Sequence, residues 1–344
     1  MSDFEEKYFC AMNSGNGFFG FYGEMIGRAD RVFVVKGGPG TGKSRFLREV
    51  GEAAEKAGGR VEYYYCSSDQ SSLDAVIIDG KTLLLDGTAP HEVGTSIPGL
   101  RDNIVDLGAF WNVSSFEQNR DEIAFLMKRK SECYASAYDL LAAARRTTLS
   151  TAEIEKRTID QKSIDEFIEK VAKELPDGEG FAVKNVVLDS YGMRGRVKFN
   201  TFAELSETYV SVVDTLDIAY LLNENLLELA KRKNISVTVA RDPLIPERID
   251  AILFDGVLFA VGRETVDDLC DYDMVDFLNK DEFKKYGKEI KKARKCRARL
   301  EELALERLAD AAKYHFGLEK IYGDAMDFEG KEKFTKEFIE TNII

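Results

Sequence analysis

The residues best suited to chemistry lie in one run, Lys36-Gly-Gly-Pro-Gly-Thr-Gly-Lys-Ser44. Its spacing fits G-x-x-x-x-G-K-[ST], a Walker A phosphate-binding loop. The β-branched, apolar run Val32–Val35 predicts a strand before it, and Lys43–Lys56 predicts an amphipathic helix after it. Gly38, Gly40 and Gly42 remove side chains where backbone must approach phosphate oxygens, and they permit positive φ. Successive N–H groups then make an anion-binding concavity at a helix N-terminus. Lys43 is expected to reach the β- and γ-phosphates, and the Ser44 hydroxyl to ligate the Mg2+ that bridges them. Pro39 stiffens the turn, Thr41 adds a donor near the β-phosphate, and Arg45 ends the binding segment. A ligand-free glycine turn is the competing reading, but it leaves a lysine and a serine at the first helical positions unexplained.

The elements around this loop recur. Phe21–Val35 aligns without gaps on Phe199–Val213, and Asp74-Ala-Val-Ile-Ile-Asp-Gly80 aligns on Asp250-Ala-Ile-Leu-Phe-Asp-Gly256. Both stretches read strand, helix, strand: Val32–Lys36, Lys43–Lys56 and Val61–Cys66, then Val210–Val213, Ile218–Lys233 and Ile235–Ala240. Long helical stretches follow each core, at Phe116–Arg145 and Ser163–Glu174, and again at Lys280–Tyr314 and Lys331–Ile339. Pro176-Asp-Gly-Glu-Gly180 is the natural boundary. The expected fold is α/β and P-loop NTPase-like, a mostly parallel sheet flanked by helices, duplicated, with a helical extension in each half. Residues 1–178 form the nucleotide-binding half. Residues 179–344 form a degenerate half, because Asp214-Thr-Leu-Asp-Ile-Ala-Tyr-Leu-Leu222 stands where the loop should be. It has no glycine and no lysine, and Asp214 and Asp217 would repel phosphate.

The repeat sorts the aspartates. A phosphate-loop enzyme needs a carboxylate at the end of an apolar strand, near Mg2+. Val76-Ile-Ile-Asp79 and Leu83-Leu-Leu-Asp86 both qualify. Asp79-Gly80 recurs as Asp255-Gly256 in the half without a loop, and Asp-Gly between apolar runs signals a hairpin turn. Asp86 aligns with Gly262, so it disappears together with the loop, and it is assigned as the Walker B carboxylate. Asp74 recurs as Asp250 and reads as structural. No glutamate follows Asp86 in Asp86-Gly-Thr-Ala-Pro-His91. The group that handles water is then Asp69, just after the second strand, or His91, which packing or capping near Glu92 explains equally well. His315 reads as structural.

The 344 residues carry a net charge of -13, with 44% hydrophobic and 32% charged residues, an ordinary globular balance. That charge opposes nucleic acid and anionic membrane as partners. The acidic start and the lack of a long apolar window predict neither a secretory signal nor a membrane span. Five scattered cysteines without C-x-x-C predict a reduced, cytoplasmic protein with no disulfide framework. Lys284–Arg299 holds nine basic residues and one acidic one and reads as a solvated helix face, with docking to an acidic partner as the other reading. Arg194, Arg196, Arg241 and Arg248 are conceivable arginine fingers across the halves. N-K-x-D, the guanine signature, is absent, which favours ATP.

The loop Lys36–Ser44, the segment Cys66-Ser-Ser-Asp69 with Ser72-Leu-Asp74, and Asp86-Gly-Thr-Ala-Pro-His91 together resemble a little-characterised bacterial family of tandem P-loop ATPases. In that family the second half commonly keeps a loop, and this chain departs there. The resemblance implies ATP binding and hydrolysis. The expectation is Mg2+-dependent ATP binding with slow hydrolysis, coupled to movement between halves. A small-molecule or nucleotide kinase with Asp69 as base, and an ATP-gated scaffold with negligible turnover, are the alternatives.

Overall fold

The computed structural model describes residues 5–89, 93–264 and 270–344. The first half runs β1 (Glu6–Phe9), β2 (Ala11–Ser14), β3 (Gly17–Gly20), α1 (Tyr22–Arg28), β4 (Arg31–Lys36), α2 (Lys43–Lys56), β5 (Val61–Tyr65), β6 (Leu73–Ile78), β7 (Thr82–Asp86) and β8 (Asp102–Asp106). After a 3-10 turn at Leu107–Phe110 come α3 (Ser114–Gln118), α4 (Arg120–Leu149), α5 (Ala152–Thr158) and α6 (Gln161–Glu174). The second half repeats the series as β9 (Val183–Val186), β10 (Asp189–Gly192), β11 (Gly195–Lys198), α7 (Thr201–Leu205), β12 (Thr208–Val213), α8 (Tyr220–Arg232) and β13 (Val237–Arg241). It ends with β14 (Ile249–Phe254), β15 (Phe259–Glu264), β16 (Tyr272–Asp273), a 3-10 turn at Met274–Phe277, α9 (Lys280–Asp324) and α10 (Phe328–Asn342).

Each half builds one six-stranded sheet, in the orders β1-β5-β6-β7-β4-β8 and β9-β13-β14-β15-β12-β16. The central strands are apolar over most of their length because both faces are buried: α2 and α10 cover one face of the first sheet, and the other, through Val34, Ala75 and Leu85, shares a core with Ala251, Leu253 and Ala260 of the second sheet. The sheets are mixed rather than simply parallel: β6 runs against both β5 and β7, and β14 against β13 and β15. The β6–β7 turn places Asp79 at φ 51 and Gly80 at φ 67, the left-handed pair that a tight hairpin requires. Asp79 is a turn residue, as its recurrence suggested.

The ladders correct the alignment of the halves by one residue. Val35 pairs with Asp86 as Val212 pairs with Arg263, and Ala75 pairs with Leu85 as Ala251 pairs with Gly262. The counterpart of Asp86 is therefore Arg263, not Gly262. The two loops are equal in length, so Gly37–Gly42 falls on Asp214–Ala219, and Lys43 on Tyr220.

A cut at residue 178 separates the repeats but not their cores. Ile164, Phe167, Ile168 and Val171 of α6 pack into the second core, and Phe338 of α10 packs into the first. Phe338 lies edge-on to Phe33 (5.0 Å) and Phe46 (5.1 Å). Hairpins are exchanged as well. Met193 N–H donates to the Ser68 carbonyl (2.8 Å), and Gly15 N–H donates to the Leu244 carbonyl (3.0 Å). Helices α4 and α9 pack antiparallel: Leu126 lies beside Gly317, while Ala137 and Leu141 share a core with Ala304 and Leu308. Helix α4 thus leaves the first half and ends on the second, and α9 makes the return journey.

Candidate functional site

The glycine loop joins β4 to α2 with three left-handed turns of backbone, Gly37 (φ 155), Gly40 (φ 70) and Gly42 (φ 79). At Gly40 no other residue fits, because an added Cβ would run into the Glu319 carbonyl oxygen of α9. Helix α2 starts at Lys43, and its first backbone acceptor bond is Phe46 N–H to Gly42 O (2.9 Å). Among the described residues the N–H groups of Gly42, Lys43, Ser44 and Arg45 have no acceptor. These are the orphan donors of a helix start, and their dipole favours an anion. Thr41, fully buried, donates to the Gly38 carbonyl (2.9 Å) and braces the loop. Lys43 Nζ folds back onto the Gly37 (2.9 Å) and Gly38 (2.7 Å) carbonyls and lies 3.5 Å from Asp86.

The acidic side of the site holds two carboxylates. Asp86, at the end of β7, accepts Thr88 N–H (2.8 Å) and faces Lys43. Asp74, on β6, is buried against Asp86, Cys66 and Lys43. Burial, and then the charge of Asp86, push the Asp74 carboxyl well above the usual carboxylate range, while Cys66 and Lys43 oppose that shift. Asp74 is thus a site residue, although its recurrence read as structural. The Ser44 hydroxyl accepts Leu73 N–H (2.9 Å), which fixes it one residue from Asp74. Ser44 and Asp86 fit an octahedral Mg2+ that keeps waters and phosphate oxygens as its other ligands.

The remaining expected residues lie farther from this centre. Asp69 accepts hydrogen bonds from the Ser71 hydroxyl (2.8 Å), the Ser72 hydroxyl (3.1 Å) and Arg194 Nε (3.0 Å). Burial alone would raise its carboxyl, but Ser71 and Arg194 outweigh burial and hold it below the usual range. Such a carboxylate is a weak base until Arg194 leaves it. Among the candidate arginines, Arg194 is therefore the one that reaches the first half's strand ends. Arg196 is tied to Asp189 (2.7 Å) and Arg248 to Glu155 (3.1 Å). The Arg45 side chain lies on the outer face, paired with Glu49 (2.7 Å) and Glu332 (3.0 Å), so only its backbone belongs to the anion site. His91 lies outside the described residues.

The second half keeps the loop and fills it from within. Asp217 holds φ 58 where Gly40 holds φ 70. The Asp214 carboxylate accepts N–H bonds from Leu216 (3.2 Å), Ile218 (3.0 Å) and Ala219 (2.8 Å), so the amides meant for an anion close on the chain's own carboxylate. Arg263, at the position of Asp86, ion-pairs with Asp250, Asp217 (3.1 Å) and Asp242 (3.6 Å). Arg294 and Arg297 of α9 each lie 3.4 Å from Asp217. Part of the basic run Lys284–Arg299 is thus turned inward onto the degenerate loop, which corrects its reading as a wholly solvated face.

Three aromatic rings cap the first loop. Tyr322 sits 2.7 Å from where a Gly38 Cβ would be, and it packs on Trp111 (5.6 Å) and Phe116 (4.8 Å). The Trp111 Nε1 donor is buried without an acceptor among the described residues. Sequence reasoning missed Tyr322, because nothing in the spacing of a 45-residue helix shows which end returns to the loop. No protein family, curated protein or solved structure matches this chain. Among the described residues no helix is long and apolar enough to cross a membrane.

Proposed function

We propose that the chain binds Mg2+·ATP at the glycine loop and hydrolyses it slowly, with one nucleotide per chain. One observation carries this reading: two loops of equal length follow equivalent strands, and only one lacks an internal anion. The second has Asp214 in its amide cradle and Arg263 across from it. The first has free amides, Lys43, Ser44 and two facing carboxylates, Asp74 and Asp86. That charge pattern suits a phosphate chain carrying a divalent cation. When bound, Mg2+ would neutralise the charge developing on the terminal phosphates. Lys43 leaves the Gly37 and Gly38 carbonyls to meet phosphate oxygens, Ser44 and Asp86 orient the metal's side, and the helix N-terminus holds the phosphates.

Two features support slow turnover. No carboxylate adjoins Asp86 in sequence, and Asp69 is held by Arg194. The same two features favour a second reading, an ATP-gated scaffold with negligible turnover, and phosphate release measured on the purified chain separates the two. The base is taken as adenine because Asn279-Lys-Asp-Glu282, the nearest approach to N-K-x-D, caps α9 instead: Asn279 accepts the N–H groups of Asp281 (3.2 Å) and Glu282 (3.1 Å). Coupling to movement rests on Glu319 and Tyr322, because a nucleotide entering over Gly38 and Gly40 must shift the end of α9.

The metal assignment has its own test. Asp86→Asn is expected to weaken Mg2+-dependent ATP binding by roughly tenfold or more, the cost of one charged ligand. Asp79→Asn, in a turn where Asp79 accepts Arg60 N–H (2.9 Å), should stay within about twofold. Equal effects, read by calorimetry with and without Mg2+, would contradict the assignment.

A further inference from the structure

The second half shows where an anion sits relative to the bridging helices, and this locates a phosphate ligand in the first half that no motif contains. The spans Trp111–Ile159 and Leu278–Met326 are equal in length, and their ends are tied by matching antiparallel bridges, Trp111 to Met326 and Ile159 to Leu278. Asp160 and Asp327 both stand at the N-caps of the helices that follow. In this register Lys130 of α4 falls on Arg297 of α9. Arg297 is buried, and its guanidinium lies 3.4 Å from the carboxylate of Asp217, the residue at the Gly40 position. The first half keeps the cation and the left-handed backbone but has no carboxylate at Gly40. Lys130 is half-buried and makes no hydrogen bond or ion pair among the described residues.

We propose that Lys130 is the ligand of the terminal phosphate of a nucleoside triphosphate held by the glycine loop, taking from the nucleotide the charge that Arg297 takes from Asp217. The inference rests on the nucleotide-binding reading above. The surroundings of Lys130 agree with it. Burial holds its ammonium below the ordinary lysine value. Cys66 and Glu319 oppose that shift, and the Lys43 ammonium adds to it. The ammonium groups of Lys130 and of Lys43, the residue that in such loops reaches the β- and γ-phosphates, thus repel one another, and an anion between them would relieve that repulsion. Charge-assisted bonds of this kind are short and about twice as strong as neutral ones.

The consequence is a latch that reads the third phosphate. In the second half α9 is tied to the loop permanently, through Asp217 to Arg294 and Arg297. In the first half α4 would be tied to the loop only while a triphosphate is present, and released by the diphosphate. Because α4 ends beside Tyr220 and Arg248, where Arg145 and Leu149 line a cavity of about 250 Å³, the latch joins the two halves directly.

The test is Mg2+-dependent ATP and ADP binding, by calorimetry, to wild type, Lys130→Ala, Lys130→Gln, Lys130→Arg and Lys43→Ala. Lys130→Ala and Lys130→Gln should each weaken ATP by roughly tenfold or more and ADP by less than about twofold, and Lys130→Arg should recover most of the loss. Equal weakening of both nucleotides, or no weakening, in variants that melt like wild type would overturn the proposal. If Lys43→Ala still abolishes binding in that case, the nucleotide reading stands and only Lys130 is refuted. If wild type binds neither nucleotide, both fall.

Discussion

Replacing Arg263 with alanine is expected to lower the unfolding free energy by about 3–5 kcal/mol, the usual result of stripping the partner from buried charges. Arg263 is 6% exposed and holds Asp250, Asp217 and Asp242 together, and all three lose their shared cation at once. Arg297 still lowers the carboxyls of Asp217 and Asp242 and softens the loss at both. The deficit should depend on pH. In wild type, burial acts to raise the Asp217 and Asp242 carboxyls, but Arg297 and Arg263 outweigh it and hold both below the usual range. Depressed carboxyls contribute stability that is present above about pH 4 and is lost as pH falls through their folded values. Asp250 behaves differently: burial already holds its carboxyl above the usual range although Arg263 opposes it. Without Arg263 that carboxyl rises further, so the variant's deficit should narrow as acid neutralises it. Urea unfolding at pH 7 and pH 5 measures both effects. A variant within about 1 kcal/mol of wild type at pH 7 would mean that the second loop is not held by this network.

Lys43→Ala is expected to cost ATP binding about 3 kcal/mol, or about 100-fold, while leaving the fold intact. Before any nucleotide arrives, the Lys43 ammonium bonds two carbonyls of its own loop and faces Asp86 at 3.5 Å. Those carbonyls can turn to water in the variant. The nucleotide's phosphates have no such replacement, because Lys130 lies on another helix and the free amides of α2 carry only the partial charge of a helix start. Lys43→Arg should not rescue binding, since a planar fork cannot replace a compact ammonium inside a narrow loop. Unchanged affinity in Lys43→Ala would remove the main reason for calling this loop a phosphate site.

Much of this was legible in the sequence where local rules suffice. The helix expected at Lys43–Lys56 forms over those residues, and Asp79-Gly80 makes the turn its dipeptide predicts. The duplication was legible too, but its register was not. Val210-Ser-Val-Val213 is apolar at both parities, so a slide of one residue costs no pattern, and only the ladder of Val212 with Arg263 fixes it. That single residue turned an informative substitution, Asp86 to Arg263, into an uninformative one. Asp74 shows a different limit. Its recurrence as Asp250 is real, yet one copy faces a carboxylate and the other an arginine, and a repeated position does not carry its electrostatics with it. The long helices expected at Phe116–Arg145 and Lys280–Tyr314 form, the first only from Arg120 after a break at Asn119, and both run further, to Leu149 and Asp324. Their amphipathic pattern could not reveal that they bridge the halves, because each packs on the other rather than on its own sheet.

The most direct test of the central claim is a calorimetric titration of the wild-type chain with Mg2+·ATP. One nucleotide per chain is the predicted stoichiometry, because Asp214 already occupies the second amide cradle. Two per chain would contradict the internal-anion account of the second half, and none would contradict the reading of the first loop as a nucleotide site.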